Sequence, residues 1–404
     1  MNYSPNYKSY LFLNSNGFPE GSEMVFCTRV GLTDDDKILA EMLMRFSQEK
    51  LAPMAAILDR DNLSAACHLP ALAELGLTGI NVPEKFGGVA LKPASIVLAI
   101  SIIAQGCAAT ASMLGAHFLG TDALLLGGND AQREQFLTPL AQGKGLAAFA
   151  LTEPGCGSNP AELTTYAMRE GDYYRIVGGK QFISNAEEAR TIIVFAKTDK
   201  NLGNKGISAF ILPRDTAGLV IDRAENLMGI RGGKAYALTL DCRVPASNLL
   251  GNEGDGFKLA MKVLDNSRLD VAATCLGIAQ AAFACATEWT KARMVGGKPL
   301  NMRQGVQWTL ADMGCQLEAA WGLTLQAAYL RACQQPFTMA ASMAKLFASE
   351  MVNFVTDRAL QLHGGYGYTQ ELPLERFVRD ARIMRIYEGS SEIQRTVIGR
   401  LIAN

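Results

Sequence analysis

Three textures of apolar and polar positions succeed one another along the chain. From Thr33 to Gly145 apolar residues recur near a period of 3.6. Thr33 and the acidic triplet Asp34-Asp35-Asp36 precede Ile38, Leu39, Met42, Leu43 and Phe46, which predicts a capped amphipathic helix. Leu72-Ala73-Glu74-Leu75-Gly76 reads as a helix ending at a glycine cap, and Pro83-Glu84-Lys85-Phe86-Gly87-Gly88 as a turn. From about Leu146 to Leu250 the pattern shortens to β-rich runs between Gly, Asn, Asp and Pro. Residues 173–177, the pair Gly178-Gly179 and residues 180–184 predict a hairpin with a two-residue turn. Further strands are expected at 191–197, 206–212 and 236–242, a spacing that suits a small barrel or sandwich. From Gly254 long helices return, predicted over 255–292, 305–334, 339–363 and 375–401. Their sustained apolar stripes suit a bundle that also buries a subunit interface. The expected architecture is therefore α+β. An N-terminal α-helical domain (32–147) leads to a middle β domain (148–250) and a C-terminal four-helix-bundle domain (251–404), with residues 1–31 as an extension.

Composition narrows the classes without choosing among them. A 404-residue chain with 49% hydrophobic and 19% charged residues is an ordinary globular protein, long enough for two or three domains. A net charge of −1 leaves no electrostatic footprint for nucleic acid, and the arginines at 376, 379, 382 and 385 are interleaved with Glu371, Glu375 and Asp380. Residues 93–121 carry no formal charge, but Gln105-Gly106 splits them and Ser and Thr recur, so two buried helices are expected and no membrane span. Nine scattered cysteines form no C-x-x-C pair; Cys107, Cys275, Cys285, Cys315 and Cys333 are expected as reduced, core-packed thiols. His68, His117 and His363 lack metal-ligand spacing, so no metal site is expected. Residues 1–31 have the layout of neither a signal nor a transit peptide. A reducing, cytoplasmic setting is the expectation.

Several segments could carry chemistry. In Arg385-Ile386-Tyr387-Glu388-Gly389-Ser390-Ser391-Glu392-Ile393-Gln394, a carboxylate precedes a glycine just ahead of a restarting helix, with Ser391 and Gln394 forming a capping-box pattern. Such a carboxylate is either a general base or a surface Glu at a positive helix end. Leu151-Thr152-Glu153-Pro154-Gly155-Cys156-Gly157-Ser158 offers hydroxyls and glycines that let backbone approach a ligand, or is simply a polar loop. Lys180-Gln181-Phe182-Ile183-Ser184-Asn185 ends a strand in possible ligand donors. Gly229-Ile230-Arg231-Gly232-Gly233 reads as a turn, and Gly364-Gly365 as a helix cap whose amides could meet a phosphate or a flavin edge. Neither a dinucleotide-binding glycine fingerprint after a strand nor a phosphate-binding P-loop is present.

Taken together and in this order, these segments resemble the acyl-CoA dehydrogenase family of flavoenzymes over about residues 32–402. The resemblance implies FAD as cofactor. Phe149, Leu151, Thr152, Gly157 and Ser158 would line it, Phe182, Ile183 and Ser184 would meet its ring system, and Arg293, Gln304, Gln361, Gly364, Gly365, Ser390 and Glu392 would contact it, partly across a subunit interface. Ser158, Asp265, Arg268, Tyr387 and Gly389 would touch an acyl-CoA substrate, and Glu388 would be the catalytic base. The family's alternative base position, just before Arg268, is occupied by Ser267, which places the chain with the short-, medium- and branched-chain type. Phe182 stands for a frequent Trp, Ser184 for a frequent Thr, Asn159 for a common Asp and Gly296 for a usual Phe, the last implying a weaker flavin contact. The implied reaction is FAD-dependent α,β-dehydrogenation of an acyl-CoA to a trans-2-enoyl-CoA, with an electron-transferring flavoprotein as acceptor and a homotetramer or dimer as the assembly. An acyl-CoA oxidase, a dehydrogenase of carrier-bound acyl groups and a non-catalytic binding module are the alternatives.

Overall fold

The computed structural model describes residues 33–403; the expected extension, residues 1–31, lies outside them. Thr33 caps helix α1 (Asp34–Phe46), its N–H and hydroxyl both donating to the Asp36 carboxylate at 2.8 and 2.9 Å. A π-helical turn at Ser47–Leu51 carries the chain into α2 (Ala52–Arg60). Gly76 takes the left-handed conformation expected of a helix-ending glycine, with φ 69°. The uncharged stretch forms α3 (Pro93–Gly106) and α4 (Ala108–Gly127), separated by an extended Cys107. Both are apolar nearly all round because they are buried nearly all round.

The middle domain is one eight-stranded sheet. Its strands are β1 (Leu146–Ala150), β2 (Tyr166–Glu170), β3 (Tyr173–Ser184), β4 (Ala189–Lys197), β5 (Ile207–Pro213), β6 (Leu219–Ala224), β7 (Ala235–Pro245) and β8 (Leu249–Leu250). Pairing runs β6-β7-β3-β2-β4-β5-β8, with β1 lying parallel to β4 beside β2. Alternation sorts the side chains. Ile192, Val194, Phe210, Leu212, Tyr174, Ile176 and Leu238 pack into a core of the sheet's own, while Ile193, Phe195, Ala209 and Ile211 face Leu119, Leu124 and Val263 of the helices.

The hairpin expected at Gly178-Gly179 is absent, because residues 173–184 form a single strand. The true hairpin lies one step earlier, where Glu170 pairs with Tyr173 across Gly171-Asp172. Gly178 answers a packing demand instead of a turn: a Cβ there would sit 2.4 Å from Thr165 Oγ1.

The C-terminal part comprises α5 (Gly256–Ala292), the short β9 (Met294–Val295) and β10 (Lys298–Pro299), then α6 (Gln304–Ala332) and α7 (Thr338–His363). The predicted helix 375–401 is two, α8 (Leu374–Arg382) and α9 (Ser391–Ala403), with a 3₁₀ turn and the Glu388 segment between them. Helices α3–α8 share one continuous apolar core, so the two helical regions pack as a single body around α5. By length and composition α5 could cross a membrane, but 89% of its most apolar window is buried inside the protein. Cys107, Cys275 and Cys285 are buried as expected, whereas Cys315 and Cys333 are exposed on α6 and just beyond its end.

Candidate active site

Two consecutive left-handed residues, Glu388 (φ 56°) and Gly389 (φ 89°), turn the chain between α8 and α9. For a residue with a Cβ such a conformation costs on the order of 1–3 kcal/mol, and it persists only where surrounding contacts enforce it. Here Lys345 Nζ of α7 donates to the Gly389 carbonyl at 2.7 Å. Gln394 Nε2 of α9 donates to the same oxygen at 2.9 Å and to the Glu388 carbonyl at 3.2 Å. A Cβ on Gly389 would lie 2.6 Å from Gln394 Nε2 and would displace that amide, on a backbone whose φ of 89° already strains any residue but glycine. The cap of α9 is Ser390, whose Oγ accepts from the Ile393 N–H at 3.4 Å; Ser391 instead donates to Glu350 at 2.8 Å. The expected capping box does not form: the cap moves to Ser390, and Gln394 clasps the turn in front of the helix.

The Glu388 carboxylate accepts from Ser267 Oγ of α5 at 2.5 Å. Burial raises its pKa above the ordinary carboxylate range, and Ser267, Lys345 and Arg268 moderate the rise. The N–H groups of Glu388 and Gly389 find no protein acceptor among the described residues. A carboxylate of raised basicity beside free backbone donors suits proton abstraction next to a carbonyl whose oxygen gathers charge.

The expected substrate contacts divide. Arg268 is buried and bound to Asp265 at 2.5 Å, with Ser342 at 3.3 Å, and Asp265 also accepts from Thr338 at 2.6 Å. Within the chain these two residues hold each other, while Arg268 lends positive charge to Glu388. The Tyr387 hydroxyl faces Met384 Sδ at 3.0 Å, and the ring packs on the core. Ser158 is exposed on the loop after β1.

Thr152, at the end of β1, and Phe182 and Ser184, at the end of β3, are drawn together by a bond from Gln181 N–H to the Thr152 carbonyl at 3.0 Å. Phe182 is 60% exposed with φ 59°, an aromatic held out from the sheet on strained backbone. The hydroxyls of Thr152, Ser158 and Ser184 bond to no protein group among the described residues; Phe149 and Leu151 pack into the core shared with the helices, and the buried Ile183 into the sheet's own core. This edge fits a flat polar ring system: an aromatic face, free hydroxyls, and open space over Gly155 and Gly157.

A second patch gathers Arg293, Gln361, Gly364 and Gly365 at the joined ends of α5 and α7. The Arg293 guanidinium lies 5.9 Å from the Trp289 ring and 5.8 Å from Tyr366, and Trp289 stacks on His363 at 4.8 Å. Gln304 opens α6 and Glu392 lies in the first turn of α9, both exposed. No hydrogen bond or ion pair joins this patch to Glu388 or to the Thr152 loop among the described residues. Gly296, the residue standing for the usual Phe, occupies with Gly297 a two-residue turn in which both have positive φ, 57° and 75°. That hairpin demands glycine and accounts for the departure.

Family models describe the chain in three consecutive stretches: acyl-CoA dehydrogenase, N-terminal domain over residues 33–144, middle domain over 148–242 and C-terminal domain over 254–403. The chain belongs to the acyl-CoA dehydrogenase family. It is 42% identical over 372 residues to the acryloyl-CoA reductase (NADH) of Anaerotignum propionicum, covering 91% of this chain and 94% of that one. It is equally 42% identical over 373 residues to the mitochondrial short-chain specific acyl-CoA dehydrogenase of Rattus norvegicus, covering 91% and 90%. The solved butyryl-CoA dehydrogenase of Megasphaera elsdenii matches with a TM-score of 0.90 at 41% identity, over 93% of this chain and 99% of that one.

Within this acyl-CoA dehydrogenase fold, two supports escaped the reading of the sequence. Glu153 and Lys180, 3% and 0% exposed, pair at 2.8 Å beneath the Thr152 loop. Glu153 also accepts from the N–H and hydroxyl of Thr164 and the N–H of Thr165, and Lys180 donates to the Leu151 carbonyl at 3.2 Å. Burial alone would raise the Glu153 pKa, but Lys180 and these donors hold it at about 2. Asn185, considered a ligand donor, is buried and ties Met113 to Ala147 through their carbonyls. The Gly229–Gly233 turn likewise docks the β domain: the Ile230 N–H donates to the buried Asp380 at 2.5 Å, and Arg379 of α8 bridges to Asp59 of α2. Lys180 and Lys345 did leave a signal, each a lysine at an inward position of an apolar repeat.

Proposed function

We propose that this protein is an FAD-dependent acyl-CoA dehydrogenase of the short-chain type in which Glu388 is the base. The observation that carries the reading is the Glu388 carboxylate: strained, bound to Ser267, raised in pKa, and set beside two free backbone N–H groups. Glu388 removes the proton α to the thioester carbonyl, and the N–H of Glu388 or Gly389 takes up the charge on the carbonyl oxygen. FAD, when bound, supplies the acceptor for two electrons and the β hydrogen. Phe182, Thr152 and Ser184 would hold its ring system, with Phe149, Leu151, Ile183, Gly157 and Ser158 around it. Arg293, Gln304, Gln361, Gly364, Gly365, Ser390 and Glu392 would serve the more distant parts, the Arg293 patch across a subunit boundary. Electrons leave to an electron-transferring flavoprotein.

A homotetramer or dimer in a cytoplasmic setting, serving fatty acid β-oxidation, completes the proposal. Supporting assembly, Trp308 on α6 is 62% exposed, near Met302 and the Met294–Val295 hairpin, a set of large apolar side chains that a partner subunit would cover. A second reading has a specific support, the relative named acryloyl-CoA reductase (NADH). Glu388 can return a proton as readily as remove one, so the same site would run toward the saturated thioester if its electron partner were more reducing. The test is anaerobic bleaching of the flavin by a panel of straight, branched and cyclic acyl-CoA thioesters. Bleaching by none of them removes the dehydrogenase reading, and peroxide release in air at the turnover rate would instead make the protein an oxidase.

A further inference from the structure

Lys345 lies within an otherwise small and apolar face of α7, between Ala341, Ala344 and Ala348, and is fully buried. No carboxylate comes within ion-pair distance of it among the described residues, and its ammonium is aimed at the Gly389 carbonyl, 2.7 Å away. A buried cation without a bonded counter-ion is costly, so its retention calls for a purpose. We propose that Lys345 is a positioning residue for Glu388: it closes the Glu388–Gly389 turn through the Gly389 carbonyl and supplies the positive charge against which the carboxylate ionises. The inference rests on the reading of Glu388 as the base.

The surrounding groups leave this role to Lys345. On α5, Arg268 is also cationic, but its guanidinium is bound to Asp265. Burial raises the Asp270 carboxyl well above its ordinary value and the Cys275 thiol to about 12. Burial likewise raises Tyr387, on the turn itself, well above its ordinary value. On α7, Glu350 is taken up by Arg385 at 2.6 Å and Ser391 at 2.8 Å. Neither Lys345 nor Glu388 forms an ion pair among the described residues, and Lys345 meets the Glu388 turn through the Gly389 carbonyl. Burial pulls Lys345 down to about 8 and pushes Glu388 up; after the Ser267 hydrogen bond, the Lys345 charge is the next influence favouring the Glu388 carboxylate, and Glu388 in turn favours the Lys345 ammonium.

The test is the pH profile of flavin reduction by butyryl-CoA in stopped flow, with Lys345→Gln and Lys345→Met beside wild type and Glu388→Gln. Glutamine keeps a donor for the Gly389 carbonyl without the charge. Its acid limb is expected to move up by about 1 pH unit or more, the size set by a nearby charge, with the high-pH plateau within a few-fold of wild type. Methionine removes donor and charge and is expected to move the limb and lower the plateau as well. A Lys345→Gln acid limb in the wild-type position overturns the proposal, and so does a Lys345→Gln protein that no longer holds flavin, because the role is confined to the turn. Glu388→Gln separates the two levels. If it still reduces flavin, the assignment of the base fails; if it is inactive while the Lys345→Gln limb stays put, only the role of Lys345 fails.

Discussion

Lys180→Met should unfasten the middle domain from beneath the flavin edge. The substitution leaves the Glu153 carboxylate buried with its Thr164 and Thr165 donors but without its counter-charge. Holding Glu153 at about 2, against an ordinary 4.5, corresponds to about 3 kcal/mol at neutral pH, and roughly 2 kcal/mol after allowing for solvent near the exposed loop. Breaking a buried pair by removing one partner costs about 3–5 kcal/mol, which sets the upper end. The sign with pH follows from the depressed carboxyl: its stabilisation is present above about 4.5 and is lost as pH falls toward 2. Lys180→Met should therefore be most damaging at pH 7 and approach wild type in acid. Urea unfolding followed by circular dichroism at pH 7 and about pH 3, on Lys180→Met, Glu153→Gln and the double variant, yields the coupling energy and its loss in acid. Flavin affinity should fall in parallel, because Thr152 and Phe182 lose their common anchor. A Lys180→Met protein within about 0.5 kcal/mol of wild type at pH 7 would refute the reasoning.

Three further outcomes are expected. Glu388→Gln keeps an acceptor for Ser267 and should retain flavin and substrate binding while flavin reduction falls about 10²–10⁴-fold, measured by single-turnover bleaching. Gly389→Ala forces a Cβ to 2.6 Å from Gln394 at φ 89° and should lower stability by about 1–3 kcal/mol in thermal unfolding and slow reduction, whereas Gly171→Ala, whose Cβ would meet nothing within 4 Å, should leave reduction unchanged. Burial lifts Asp380 to about 6, so stability should decline as pH rises from about 4 to 6 on its account. Asp380→Asn still accepts from Ile230 and should flatten that slope in denaturant titrations across the range.

Much of the architecture was legible because periodicity reports burial. The capped start at Thr33, the split uncharged stretch and the long helices of the C-terminal part all lie where the apolar pattern places them. The errors share one origin. Gly178-Gly179 looks like a turn in one dimension, but the glycines admit Thr165 across the strand. Ser391 looks like a cap, yet Ser390 takes that place because Ser391 is drawn to Glu350. Cys315 and Cys333 occupy helical surroundings whose exposed side depends on what packs beside α6.

By itself the order of residues determined the succession of helical, β and helical regions, the family, and Glu388 as the carboxylate at the turn with Ser267 at the other base position. Those properties reside in local pattern and in motifs contiguous along the chain. Only the tertiary structure decided what surrounds that carboxylate. Ser267, Lys345 and Gln394 reach the turn from three different helices, and Glu153 meets Lys180 across 27 residues. Burial and charge at a point in space depend on segments far apart in sequence, and burial and charge are what set the basicity of Glu388.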